Sequence, residues 1–206
     1  MSDKYTTTET RVSYGIGRQM GGQLASNPFE GLHIDSVIAG LADALNGVEC
    51  PVPDELMEAA FKEVSKKMQA KKADEAKMLA AEGENFLAEN ARRDEVTVTA
   101  SGLQYEIINE GKGDKPSASS TVRTHYHGTL INGEVFDSSY DRGQPAEFPV
   151  NGVISGWTEA LQMMGTGAKW RLYVPHHLAY GEHGAGNTIA PFSTLVFDVE
   201  LLDIID

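Results

Sequence analysis

The chain has 206 residues, 41% of them hydrophobic and 23% charged, and a formal net charge of -13. So acidic a surface repels phosphate backbones, whose binding rests on Lys and Arg, and this argues against a nucleic-acid partner. No stretch approaches the roughly 18 consecutive apolar residues of a membrane span, and the single Cys50 has no disulfide partner and no metal-type spacing. The polar start MSDKYTTTET lacks the apolar run of a secretion signal. With the lone thiol, it predicts a cytoplasmic protein with no membrane partner.

The first part reads as helical. From Val12 to Leu24 apolar and small residues fall at helical spacings, with Ile16, Met20 and Leu24 four apart. Gly15, Gly17, Gly21 and Gly22 weaken that helix, yet they also let a second helix backbone approach closely. A second helix is expected over Ile34 to Leu45, with Asp35-Ser36 as candidate caps and Asn46-Gly47 as a stop. The third is expected over about 53–92, opened by Pro53, Asp54 and Glu55. It would be roughly 60 Å long at 1.5 Å per residue. Leu56, Ala60, Val64 and Met68 step by four, but the middle from Gln69 to Lys77 is charged and alanine-rich, as in a solvated spacer. Glu63 and Lys67 form an i,i+4 pair there. Residues 1–93 thus read as an all-α domain whose apolar surface is too small for a monomeric core. A homodimer through these helices is expected, with a small intramolecular bundle as the alternative.

From Val96 the apolar period switches from four to two. Thr121–Leu130 alternates Val122, Thr124 and Tyr126 against Arg123, His125 and His127. Lys169–Val174 sets Trp170, Leu172 and Val174 on one face and Lys169, Arg171 and Tyr173 on the other. Thr194–Asp203 repeats the pattern through Leu195, Phe197, Val199 and Leu201. These are half-buried antiparallel strands, one face packed and one wet. Gly156–Met164 reads as one short helix, with Trp157 and Leu161 four apart, and Ser101-Gly102 and Asn132-Gly133 mark turns. The fold class is therefore α+β: residues 94–206 form an antiparallel sheet around one short helix, behind the helical domain.

The usual catalytic constellations are missing. There is no nucleophile elbow, zinc-protease pair, phosphate loop or zinc cysteine set. His125 and His127 at two-residue spacing read as solvated side chains, so no metal and no cofactor are expected. Asp137, Asp141 and Glu147 sit beside turns, where solvated acids are the default. What this half offers is aromatic residues at strand ends and in loops.

Four blocks, in order, are more specific: VRTHYHGTLINGEVFDSSYDRGQPAEFPV, GVISGWTEALQMMGTGAKWRLYVP, LAYGEHGAG and PFSTLVFDVELL. From about Ser101 to Asp203 the chain resembles the FKBP-type peptidyl-prolyl cis-trans isomerases, the macrolide-binding immunophilins. The resemblance implies a twisted sheet wrapped on a helix and catalysis of X-Pro bond rotation without metal, cofactor or covalent intermediate. It implies Trp157 as the floor under the proline ring, Tyr126, Phe136, Phe148 and Phe197 as walls, and Val153 and Ile154 at the rim. The Ile154 N–H and the Tyr180 hydroxyl would hold substrate carbonyls, Asp137 would lie near the twisting amide, and Ile189 belongs to an overhanging loop. By periodicity alone Trp157, Phe148 and Phe197 would be core, Tyr180 a turn tyrosine and Asp137 a turn acid. Departures from the family pattern spare the floor: Ala146 replaces an aromatic and opens one wall, Ala190 replaces a proline in the overhanging loop that Ala185 and Asn187 also alter, and His127 replaces the commoner threonine. SYGIGRQMGGQL and VIAGLADAL resemble the amino-terminal domain of two-domain bacterial members, which implies an entwined homodimer acting as folding catalyst and weak chaperone on unfolded, proline-containing clients. Two other readings stay open, a proline-segment or macrolide binding module and a helical holdase with incidental catalysis.

Overall fold

The structure is a computed structural model that describes residues 4–205; Met1, Ser2 and Asp3 of the polar start lie outside them. The chain forms two compact units, and the division falls inside the third helix, between Lys71 and Lys72.

The first unit holds α1 (Thr8–Ala25), α2 (Ile34–Leu45) and the start of α3 (Asp54–Asn90). Helix α1 begins earlier than its apolar pattern because Thr7 and Thr10 form a reciprocal capping box. The Asp35-Ser36 pair does not cap α2: His33 holds the cap position with no side-chain bond. Asp35 instead lies in the first turn, where its charge suits the positive end of the helix dipole. The stop at Asn46-Gly47 is a Schellman end, in which Val48 N–H reaches the Asp43 carbonyl at 2.9 Å and Gly47 takes a φ of 68°. No residue of α1 or α2 is buried, and Val12, Ile16, Ile34, Ile38 and Leu45 are all exposed.

The second unit carries β1 (Val96–Val98), β2 (Gln104–Asn109), β3 (Thr121–Leu130), β4 (Val135–Ser138), β5 (Ala146–Pro149), α4 (Ser155–Met163), β6 (Lys169–Val174) and β7 (Leu195–Ile204). The sheet runs β1-β2-β6-β7-β3-β4, with β5 also paired to β3, and every pairing is antiparallel. The free edge of β3 is therefore shared: β5 takes Thr121–Thr124 and β4 takes His127–Thr129. The inward faces of β3, β6 and β7 close over α4, burying Val122, Leu172, Val199 and Leu201 against Ala160, Leu161 and Met164.

Tyr173, expected on the wet face, is buried at 4% exposure. The end of α3 and the turn after it cover it: Phe86 packs its ring 5.9 Å from that of Tyr173, and Arg93 Nη1 donates to the Tyr173 hydroxyl at 2.8 Å. Asn90 donates to Gln104 Oε1 at 2.9 Å, and Gln104 Nε2 in turn donates to the Leu87 carbonyl at 2.9 Å. Gly83 lies so close to Thr194 that a Cβ there would collide with its side chain. These contacts place the end of α3 in the second unit. No helix among the described residues is long and apolar enough to cross a membrane.

Candidate active site

A cavity of about 290 Å³ is lined by Tyr126, Phe136, Asp137, Phe148, Gly152, Val153, Ile154, Trp157, Tyr180 and Phe197. Its floor is Trp157, on the first turn of α4 and 4% exposed. Three rings meet that indole edge-on: Tyr126 at 5.3 Å, Phe197 at 5.3 Å and Phe148 at 6.0 Å. Phe136 stands edge-to-face on Phe197 at 5.4 Å. Such quadrupole-matched contacts add to the burial of each ring and hold the walls at fixed angles. Period-two placement explains the wall: Tyr126 on β3 and Phe197 on β7 point inward, while β4 and β5 deliver Phe136 and Phe148.

The rim at Val153 and Ile154 is built where a 3-10 turn at Val150–Gly152 runs into α4. Thr158 Oγ1 donates to the Val150 carbonyl at 2.7 Å and ties the two together. The Ile154 carbonyl accepts from Trp157 N–H at 2.9 Å and Thr158 N–H at 3.0 Å, whereas the Ile154 N–H has no partner among the described residues. Gly152 joins the lining without having been singled out by its sequence. A Cβ there would come within 2.7 Å of Pro149 Cγ, so the close turn at the lip requires glycine.

One polar cluster faces the aromatics. The Tyr126 hydroxyl donates to Asp137 Oδ2 at 2.5 Å, Arg142 Nη2 donates to that hydroxyl at 2.7 Å, and Arg142 Nη1 donates to Asp137 Oδ1. The Arg142 guanidinium also lies over the Tyr126 ring, 5.4 Å from its centroid. Burial, the strongest single influence on Asp137, raises its pKa, but hydrogen bonds from Tyr126 and Arg142 and the guanidinium charge outweigh it, and the carboxyl sits below the ordinary range. Burial, then the bond to Asp137, push the Tyr126 phenol up against the opposing pull of Arg142. Tyr180 is also pushed up, by burial first and the Asp137 charge second. Its hydroxyl has no hydrogen-bond partner among the described residues. Arg142 escaped the sequence reading: it lies five residues past Asp137 in a turn with no periodicity, and only the fold returns it to Asp137.

Nine of the ten candidate residues thus line one cavity. Ile189 does not. It is 7% exposed and packs into the same core cluster as Tyr126, Trp157 and Phe197, and paired hydrogen bonds with Ala185 at 2.8 and 3.1 Å fold its loop back on itself. The loop is closed again at its foot, where Phe192 N–H donates to the Gly181 carbonyl at 2.8 Å. Ala146 pairs with Thr124 at the edge of β3, so the wall on that side ends at Phe148. Glu147 pairs with Arg123 at 3.0 Å.

An apolar cup of this kind, with free donors at its rim, suits one reaction. An X-Pro amide rotates over a barrier of about 18–20 kcal/mol because resonance stiffens the C–N bond. The planar amide is more dipolar than the twisted one, so moving it from water to an aromatic cup disfavours the ground state more than the transition state. Donors placed at such a rim can hold flanking carbonyls so that a peptide favours the twist.

The fold and the cup together define a proline cis-trans isomerase. A family model described as FKBP-type peptidyl-prolyl cis-trans isomerase matches residues 112–202, and one for the domain amino terminal to such isomerases matches residues 9–107. The chain belongs to the two-domain bacterial FKBP-type peptidyl-prolyl cis-trans isomerases. It is 51% identical over 201 residues to the FKBP-type 22 kDa peptidyl-prolyl cis-trans isomerase of Escherichia coli strain K12, covering 98% of both chains. Among solved structures, FkpA from Escherichia coli superposes with a TM-score of 0.72 at 36% identity, over 97% of this chain and 98% of that one. A peptidyl-prolyl isomerase from Pseudomonas syringae covers 63% of this chain and 96% of its own, at a TM-score of 0.60 and 41% identity.

Proposed function

We propose that this isomerase turns over X-Pro bonds in the Trp157 cavity, with the proline ring on the indole and the flanking carbonyls on the Ile154 N–H and the Tyr180 hydroxyl. The observation that carries this reading is the coincidence of an aromatic cup with those two unpartnered donors at its rim. Tyr126 and Asp137 hold the polar edge facing the twisting amide, and Arg142 keeps that pair in register. The same cup takes macrolide inhibitors, with the wall shortened at Ala146.

The chain works as a homodimer through its amino-terminal helices. Support comes from α1 and α2, whose apolar residues stay exposed within one chain, and from Gly17, Gly21 and Gly22, where a Cβ would meet nothing within 4 Å. That face has room for another helix. Two pockets on one dimer hold an unfolded client at raised effective concentration, which makes the protein a weak chaperone as well as a catalyst. Residence in the cytoplasm is the remaining part of this reading, and the exposed free thiol of Cys50 suits a reducing compartment.

A protease-coupled assay on a Xaa-Pro peptide, with and without a macrolide, is the direct test, alongside light scattering. Expected are turnover that the macrolide blocks and a mass of two chains. Tight proline-peptide binding with only the background rate would leave a binding module in its place.

A further inference from the structure

We propose that Ser139 is a positioning residue of the isomerase pocket, a side chain that completes the sheet at Tyr126 so that the backbone can leave it and bring Arg142 back over the site. Strand β3 is paired by β5 up to Thr124 and by β4 from His127 onward. Tyr126 falls in the gap between these two partners. Its backbone is closed there by one residue: Ser139 N–H donates to the Tyr126 carbonyl at 2.9 Å, and Ser139 Oγ accepts the Tyr126 N–H at 2.7 Å. The second bond uses a hydroxyl where a ladder would use a main-chain carbonyl.

Ser139 is fully buried, and its oxygen also lies 3.2 Å from the Tyr126 carbonyl, to which it donates, and 2.9 Å from His125 Nδ1. His125 is stacked on Tyr140 at 4.6 Å, and the Tyr140 hydroxyl donates to Glu200 Oε2 at 2.8 Å, which anchors the support to β7. Beside it, Ser138 Oγ accepts the Asp141 N–H at 3.3 Å and bends the chain toward Arg142. The Ser139 hydroxyl therefore fixes two things together: the backbone from which the Tyr126 ring projects, and the root of the turn whose guanidinium meets the Tyr126 hydroxyl and Asp137. A polar group buried this deeply leaves a donor unsatisfied when it is removed, and the nearest structure free to adjust is that turn.

This inference rests on the reading that the Tyr126 hydroxyl serves the reaction. A double-mutant cycle in the full-length protein separates the two, using kcat/KM on a Xaa-Pro peptide for Ser139→Ala, Tyr126→Phe and the double variant. Ser139→Ala is expected to lower kcat/KM about tenfold in the parent and less than about twofold in the Tyr126→Phe background. Equal losses in the two backgrounds, or no loss in the parent, overturn the positioning role while leaving Tyr126 in place. A Tyr126→Phe variant with parental activity overturns the reading of Tyr126, and the proposal with it. Ser139→Cys fills the site with a slightly larger, weakly hydrogen-bonding group. It should reproduce the loss, and it carries the cycle where the alanine variant does not fold. Recovery of parental activity by cysteine would show that packing alone matters, and would overturn the proposal.

Discussion

Tyr126 and Tyr180 both face the cavity, but they differ in what already occupies their hydroxyls. Tyr126 is bonded on both sides by Asp137 and Arg142, whereas Tyr180 is 40% exposed and its hydroxyl is unpartnered among the described residues. Tyr180→Phe should therefore leave stability within about 0.5 kcal/mol of the parent while lowering kcat/KM roughly 3- to 10-fold, the worth of one hydrogen bond. Parallel thermal unfolding and peptide turnover check both halves. Asp137 behaves in the opposite way. A folded-state pKa held below 3.8 means that its stabilising contribution is present above that pH and is lost as the pH falls through the folded value. Asp137→Asn should lower the Tm modestly at pH 7, since solvent screens a half-exposed pair. That deficit should begin to close as the pH falls below about 3.8 and vanish once it is below the folded value; unfolding curves from pH 7 down through the acid range test it.

Helix α3 shows how one element can belong to two units. Its amphipathic start, its charged middle and its position after Pro53 were all readable from spacing, but its attachment to the sheet was not. Asn90, Gln104, Arg93 and Tyr173 meet across sequence separations of up to 80 residues, and polar side chains bear no periodic mark of such contacts. Gly83 illustrates the conflict. Mid-helix Gly→Ala ordinarily stabilises by about 1 kcal/mol, yet here the added methyl would strike buried, β-branched Thr194. Gly83→Ala should thus destabilise the chain by about 1–2 kcal/mol, measured as a lower urea midpoint at unchanged slope. A rise in the midpoint would mean that Thr194 yields freely.

The division at Lys71/Lys72 also changes how the molecule should be cut. A chain starting at Lys72 keeps the α3 contacts and should turn over a short peptide at the full-length rate. One starting at Asp94 loses Phe86, Leu87, Asn90 and Arg93, which uncovers Gln104 and Tyr173 and leaves the Tyr173 hydroxyl only Glu106 at 3.1 Å, so it should be less stable than the chain from Lys72. Comparing both with the full chain in a proline-limited refolding assay tests the division of labour. The chain from Lys72 should match it on the peptide and lag on the folding protein.

Local order was legible in the residues alone: three helices, the short helix at Trp157, strands β3, β6 and β7, and the inward places of Tyr126 and Phe197 on them. Each follows from side-chain period, caps and turn residues, which act over a few neighbours. The short edge strands β1, β4 and β5, and the inner strand β2 with its unalternating QYEIIN, left too little pattern to find. The Asp137–Tyr126–Arg142 cluster, the lip at Gly152, the burial of Ile189 and the covering of Tyr173 arise only when distant segments pack. There, desolvation and hydrogen-bond satisfaction among residues far apart in the chain choose the partners, and no local pattern encodes them.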